Sequence, residues 1–275
     1  MSFKIDNIVI DRVQMAIAED TTPEHNFLYT LTQLSEPQIE INAESTEAKD
    51  ANGVLIRKFY KGKTGTFTAN SALIDFNILG ATTGSGKEVA SDTKKMTVPK
   101  IMYVKVPTGT AAPITLPDST ANSDVVLKSL KVASVAGNGT MLTKYKLGDG
   151  GFQFSEGKLT LPTLSDQDKK DGATRFVIKY DRVLSNNAVA VKNRADKYPS
   201  TIRLTLKCLC IDPCDAGTLR AAYIVLPSFQ VSPETTVEMK TDAQLAYKGD
   251  LQVDYCSDEK TLYEIYMAED DTEEE

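Results

Sequence analysis

The sequence contains no tryptophan and only one histidine among its 275 residues. A Ser-His-Asp or Cys-His catalytic site would therefore have to use His25. His25 lies in the polar stretch 21–26, which is typical of a surface turn. We expect a surface histidine and a protein that is not an enzyme. A pair of carboxylates acting as general acid and base stays an open alternative, since the chain has 38 Asp and Glu residues and no pair stands out.

Long apolar runs are also missing. Residues 223–226 form one of the longest, and a membrane-spanning helix needs about 20 apolar residues. Residues 1–6 begin an alternating pattern and not a charged and then apolar leader. We therefore expect no membrane partner and no secretion signal.

Cysteine is scarce, and three of the four residues lie close together: Cys208, Cys210 and Cys214, with Cys256 further on. Structural zinc sites usually show C-x₂₋₄-C pairs, whereas Cys208 and Cys210 are two residues apart on an apolar strand pattern. This spacing predicts two core cysteines. Cys214 follows a turn and could approach Cys256, so a zinc site and a disulfide both stay open, although a reducing cytoplasm disfavours the disulfide. We expect no bound metal.

Residues 80–88 imitate a phosphate-binding loop without matching it. The motif G-x-x-x-x-G-K-[ST] requires closer glycines than Gly80 and Gly86. Glu88 stands where the motif needs a hydroxyl for magnesium, and the segment follows a predicted helix instead of opening one. The stretch is therefore interpreted as a flexible loop, and no cofactor is expected.

Negative charge is concentrated at one place. The formal net charge is −7, and residues 269–275 carry six acidic groups, so the rest of the chain is close to neutral. We expect this acidic tail to be solvated and disordered. This distribution of charge argues against tight binding of nucleic acid at a basic face of the protein.

Short alternating segments separated by turn residues run through most of the chain. They predict a mainly β fold with two packed antiparallel sheets, sandwich-like or barrel-like, and one short helix. Residues 96–172 are richer in proline, glycine and threonine and contain a charged loop at 165–172. We interpret them as an inserted β lobe in a domain made of 1–95 plus 173–268, followed by the tail 269–275. The alternative is that the strands of 96–172 extend the main sheets.

The stretch 35–80 is the most specific part of the pattern. Ile39, Ile41 and Ala43 alternate with polar residues, which predicts a strand with one buried face. Residues 49–53 supply a turn ending in Asn-Gly, and 54–60 predict the partner strand. A helix follows, with Asn70 or Ser71 as its cap, Asp75 in its first turn and Gly80 at its end. Its predicted apolar face consists of Ala72, Leu73, Phe76 and Leu79.

Both ends of the chain, about two thirds of it, resemble the tail tube (major tail) proteins of long-tailed bacteriophages. The segments that carry the resemblance are 38–41, 49–53, 54–60, 63–73, 198–199, 222–227 and 262–266. The resemblance implies a virion protein assembled in the host cytoplasm from copies joined edge to edge into hexameric rings. Stacked rings would form a channel for the transient, non-specific passage of DNA. Sheath, tape-measure, baseplate or head-completion proteins are the other partners that it implies.

Two sets of candidate residues follow from this resemblance. The lining of a DNA channel should be acidic or polar, which makes Glu40, Glu44 and Glu238 the candidates for it. The alternative is that they are ordinary solvated strand positions. The hairpin between the two strands is expected to bind an adjacent copy. Its candidate residues are Asp50, Asn52, Gly53, Arg57 and Lys58.

Two other classes of function were weighed. A β-sandwich binding module, such as a decoration protein or a reader of carbohydrate or a host surface, would use the predicted lobe for recognition. A β-scaffold hydrolase or lyase would need a concave site with paired acids, and the sequence marks no such pair.

Overall fold

A computed structural model describes residues 8–32, 34–107, 113–117, 122–212, 215–253 and 259–273. The chain divides into two compact units. The first unit consists of residues 1–87 and 190–275, and the second of residues 88–189. The chain therefore leaves the first unit once and returns to it once.

The elements that precede the second unit are β1 (Val9–Glu19), β2 (Phe27–Leu31), β3 (Leu34–Lys49), β4 (Leu55–Ser71), α1 (Phe76–Thr83) and β5 (Lys87–Val89). Those of the second unit are β6 (Met96–Lys105), β7 (Ile114–Thr115), β8 (Lys131–Ala136), β9 (Met141–Tyr145), β10 (Gln153–Ser155), β11 (Lys158–Thr160), α2 (Asp166–Lys170) and β12 (Ala173–Leu184). The chain continues with β13 (Val189–Val191), β14 (Thr201–Asp212), β15 (Asp215–Val231), β16 (Leu245–Leu251) and β17 (Glu264–Glu273).

One antiparallel sheet dominates the first unit. Its strand order is β2-β1-β14-β15-β16-β4-β3, and β17 also pairs with β15. Alternate side chains of these strands meet in a single core, because a strand directs every second side chain to the same face. Phe67, Phe229 and Tyr247 lie at its centre, with ring centroids 5.7 to 6.4 Å apart. The Tyr247 hydroxyl is hydrogen-bonded to that of Tyr29 at 2.8 Å, so this buried polar group has a partner.

The second unit has a core of its own between two further sheets. One sheet has the order β6-β12-β8-β9 and the other the order β10-β11-β7. Phe176, Ile178 and Tyr180 of β12 are fully buried and pack with Leu159 of β11. β10 and β11 form the hairpin that the turn at 155–158 predicts. A two-stranded ribbon of β5 and β13 stands where the chain passes between the units.

The mainly antiparallel β fold is confirmed, and among the described residues α1 is the single helix longer than one or two turns. The second unit, 88–189, is wider than the predicted lobe 96–172. The reason is β12, which pairs along its length with β6 and β8. The charged segment 165–172 contains the short helix α2, which the sequence analysis treated as loop. The alternating pattern at 235–239 predicts a strand, but these residues belong to no strand.

The predicted limits of the helix were wrong. Asn70 and Ser71 belong to β4, where they pair with both β3 and β16. The cap is Asp75, whose carboxylate accepts a hydrogen bond of 2.6 Å from the backbone N–H of Asn77. The helix ends at Gly84, which has a φ of 64°. Of the predicted apolar face, Leu79 packs against the core, whereas Leu73 and Phe76 are exposed; Ile78 is the fully buried apolar side chain of α1.

The acidic tail also differs from its expected disorder. β17 continues to Glu273, and its backbone pairs with β15 at Glu273 and Leu219. Residues 274 and 275 lie outside the described part of the chain.

Candidate inter-subunit surfaces

Strands β3 and β4 run beyond the core as a two-stranded hairpin, residues 43–63, which we call the arm. The paired positions extend from Ala43 and Lys63 to Lys49 and Leu55 near the tip. At about 3.3 Å per residue the arm is roughly 25 Å long. The core ends at Gly65, where an added Cβ would lie 2.7 Å from the Ile41 side chain and 2.9 Å from that of Leu251. Beyond this point both faces of the ribbon are in solvent.

The tip of the arm is held by Asp50. Its carboxylate accepts hydrogen bonds from the backbone N–H groups of Asn52 at 2.9 Å and Val54 at 2.8 Å. Its carbonyl accepts from Gly53, which has a φ of 80° that favours glycine. The candidate residues Asp50, Asn52 and Gly53 therefore shape one compact turn.

Large apolar side chains cover the arm although nothing in the described chain packs on them. Ile56 is 68% exposed and Tyr60 69% exposed. The Arg57 guanidinium lies 5.4 Å from the Phe59 ring, and the Lys58 ammonium lies 5.6 Å from the Tyr60 ring. Isolated two-stranded ribbons are marginally stable in water. Exposed apolar area on such a ribbon is typical of a surface that another protein covers.

The main sheet leaves unpaired edges among the described residues. β2 stands at one end of the strand order and β3 at the other. Phe27 of β2 is 75% exposed and Leu28 is 51% exposed. A groove of about 560 Å³ runs beside this edge, lined by β2 and by residues of α1 such as Asn77 and Ala81. An open edge with apolar side chains is a template for a further strand.

Two of the three acidic candidates lie on a strand and the third does not. Glu40 and Glu44 lie on β3 with exposed side chains, and the Asn42 amide donates a hydrogen bond of 3.0 Å to Glu40. Ile39 and Ile41 face the core as the alternation predicts. Glu238 lies outside the strands and forms an ion pair of 2.7 Å with Lys240.

The histidine and the cysteines of the first unit that were considered for chemistry lie in different surroundings. His25 is exposed in a turn, with its Nδ1 3.4 Å from the Asp20 carbonyl oxygen. Cys208 and Cys210 are buried as predicted, and burial raises the pKa of Cys208 to about 11. Cys214 and Cys256 lie outside the described residues.

One carboxylate of the second unit is buried, and the sequence analysis did not single it out. Asp168 of α2 accepts hydrogen bonds from Ser134 at 2.9 Å, Thr143 at 2.7 Å and Tyr145 at 2.6 Å. Burial by itself raises the pKa of Asp168, but the three hydroxyl donors outweigh it and the pKa is lowered. Burial and the bond to Asp168 raise the pKa of Tyr145 to about 12. The carboxylate thus ties α2 to the sheet.

The described part of the chain offers no cluster of three or more potential metal ligands and no helix long and apolar enough to cross a membrane. Its distinctive surfaces are the arm and the open sheet edges. A family model of the YomU/Tube proteins matches residues 8–265, which covers both units. The chain belongs to the YomU/Tube protein family. A search of the curated proteins found no match.

This family membership makes the chain a phage tube-like protein and a component of the virion. The resemblance inferred from the sequence is confirmed at that level. The narrower assignment to the major tail protein of long-tailed phages stays a prediction.

Proposed function

We propose that this YomU/Tube protein is the repeating subunit of a phage tail tube, in which six copies form a ring and stacked rings form the channel for DNA. The family membership supports a tube protein. The observation that carries the finer proposal is that β2 and β3, at opposite ends of one sheet, have outer edges that no other described strand pairs with. Two different edges make a head-to-tail joint, and repeated head-to-tail joints close into a ring when the rotation fits.

The arm gives the proposed ring its axial contact. It carries exposed apolar side chains along its length of about 25 Å, so it can reach a copy that the sheet edges do not touch. Glu40 and Glu44 lie on the exposed face of the edge strand β3. If this face lines the channel, its carboxylates repel the phosphates of passing DNA and prevent tight binding. No catalytic role is part of the proposal.

Electron microscopy of the purified full chain tests the proposal directly. We expect rings with six-fold symmetry and a central hole wide enough for a DNA duplex, and tubes at higher concentration. A chain that stays monomeric at every concentration, even with tail initiator proteins added, contradicts the proposal. A stable monomer or trimer with measurable glycan affinity would favour a binding module instead.

A further inference from the structure

One face of the β6-β12-β8-β9 sheet in the second unit carries a concentration of positive charge. We call it the basic face, and its cations are Lys105, Lys131, Lys144, Arg175 and Lys179. No sequence pattern marks this face, because the five residues come from four strands that are separated along the chain. The antiparallel register brings them together.

The register shows that these side chains share one face. Phe176 and Ile178 of β12 point into the core, so Arg175, Val177 and Lys179 point away from it. Residues paired across an antiparallel ladder lie on the same side of the sheet. Lys105 is paired with Arg175, and Lys131 with Lys179. Lys144 is paired with Ala133, which is itself paired with Val177.

Two pairs of like charges therefore stand directly opposite each other, Lys105 with Arg175 and Lys131 with Lys179. Like charges in this position destabilise a sheet. The carboxylate on this face of the described strands is Asp181, and no ion pair joins it or any other described carboxylate to the five cations. An anion bound across the face would relieve the repulsion.

The edge strand β6 adds exposed apolar side chains to this face, beside the cations of β12. Tyr103 is 60% exposed and Ile101 is 62% exposed. The Arg175 guanidinium lies 4.8 Å from the Tyr103 ring, and its Nε is covered without a hydrogen-bond partner in the described structure. Cations beside exposed apolar side chains suit an extended acidic peptide, whose carboxylates reach the cations while its apolar atoms cover Ile101 and Tyr103.

We propose that the basic face binds the acidic run 269–275 of a second copy of this chain. That run holds six carboxylates, while the remainder of the chain is close to neutral, so the two features are electrostatically complementary. Every copy carries both features, and residues 269–273 of the acidic run lie in strand β17. The run also competes with nucleic acid, because it would occupy the same cations that phosphates need.

The sizes of the two features agree. Seven residues in an extended conformation span about 23 Å. The basic face covers four strands at a spacing of about 4.8 Å and five residues along β6, which gives a diagonal of about 20 Å. Both ends of the acidic run can therefore engage cations at once.

Zero-length carbodiimide cross-linking tests the contact between copies. Full chains with ¹⁴N and ¹⁵N are mixed and cross-linked, and peptides are identified by mass spectrometry. We expect mixed-isotope links from 269–275 to Lys105, Lys131, Lys144 or Lys179, and their loss in about 0.5 M salt, where surface charges are screened. Links confined to a single isotope, or to lysines elsewhere, overturn the proposal.

A peptide titration tests the face without requiring assembly. A labelled peptide with the sequence of residues 268–275 is titrated into a full chain whose six tail carboxylates are changed to amides. We expect Lys131→Glu with Lys179→Glu to weaken binding at least about tenfold, and the control Lys61→Glu with Lys63→Glu on the arm to leave it unchanged. Equal weakening by both variants, or tighter binding of a single-stranded oligonucleotide than of the peptide, overturns the proposal. Since rings are not needed, this result is independent of the proposed tube.

Discussion

At the scale of single residues, the clearest consequence of the fold is the hydrogen-bonded carboxylate of Asp168. It is 2% exposed and accepts from three hydroxyl groups on β8 and β9. Removing one partner of a buried polar group costs about 1–3 kcal/mol of stability, because the remaining groups stay desolvated. Asp168 is therefore a structural residue whose contribution depends on its charge.

We predict that Asp168→Asn lowers the free energy of unfolding by about 1–3 kcal/mol at pH 7. The folded-state pKa of Asp168 is lowered, so its stabilisation is present above the unfolded pKa of about 3.9 and is lost as the pH falls through the folded value. Urea unfolding followed by circular dichroism at pH 7 and pH 2.5 measures the difference, which should shrink at the lower pH. The control Asp166→Asn removes an exposed carboxylate of the same helix and should cost less than about 0.5 kcal/mol. A pH-independent loss would contradict the assigned role.

At the scale of elements, the sequence predicts strands and turns better than it predicts where they end. The alternation around Ile39 and Ile41 identifies the buried face of β3, because burial on one side imposes a period of two. Asn70 and Ser71 have good capping chemistry, yet they lie in β4. The partner strands that decide this, β3 and β16, include residues more than 170 positions away in the chain. Local chemistry does not contain that information.

The candidate surfaces also differ in whether local sequence determines them. The turn at Asp50 and Gly53 could be predicted because its hydrogen bonds are local. The basic face could not, since it exists only in the register of four strands. Glu238 was assigned to a strand because residues 235–239 alternate as strand residues do. In the described fold these residues have no partner strand.

We predict that Ile56→Ser combined with Tyr60→Ser abolishes contacts between rings but leaves the isolated chain as stable as before, within about 0.5 kcal/mol. Both side chains are exposed on the arm, so their replacement removes no core packing. Electron microscopy should show single rings instead of tubes, and thermal unfolding should be unchanged. The matched control, Thr46→Ser on the same arm, should form tubes normally. Normal tubes from the double variant would show that the arm is not the axial contact.

At the scale of the whole molecule, the proposed ring depends on the joint between one open sheet edge and another. An edge that natural monomers would protect with charge carries Phe27 and Leu28 here. A charge introduced at this edge should therefore weaken the association of copies and leave the stability of the single chain unchanged.

We predict that Phe27→Lys prevents ring closure, because a lysine on an edge strand opposes pairing with another strand. Sedimentation velocity should show monomers over a concentration range in which the unchanged chain forms rings. Met239→Lys adds the same charge to a side chain that is 95% exposed outside the strands, and it should associate normally. Rings formed by Phe27→Lys would exclude β2 from the joint.

The ribbon of β5 and β13 has a practical meaning. The two crossings of the chain into and out of the second unit are hydrogen-bonded neighbours, about 4.8 Å apart. Any compact module whose own termini lie close together meets the same geometric requirement. This position is thus a natural graft point, at which a foreign domain could replace residues 90–188 and be displayed once per copy while the ribbon and the strands of the main sheet keep their pairing.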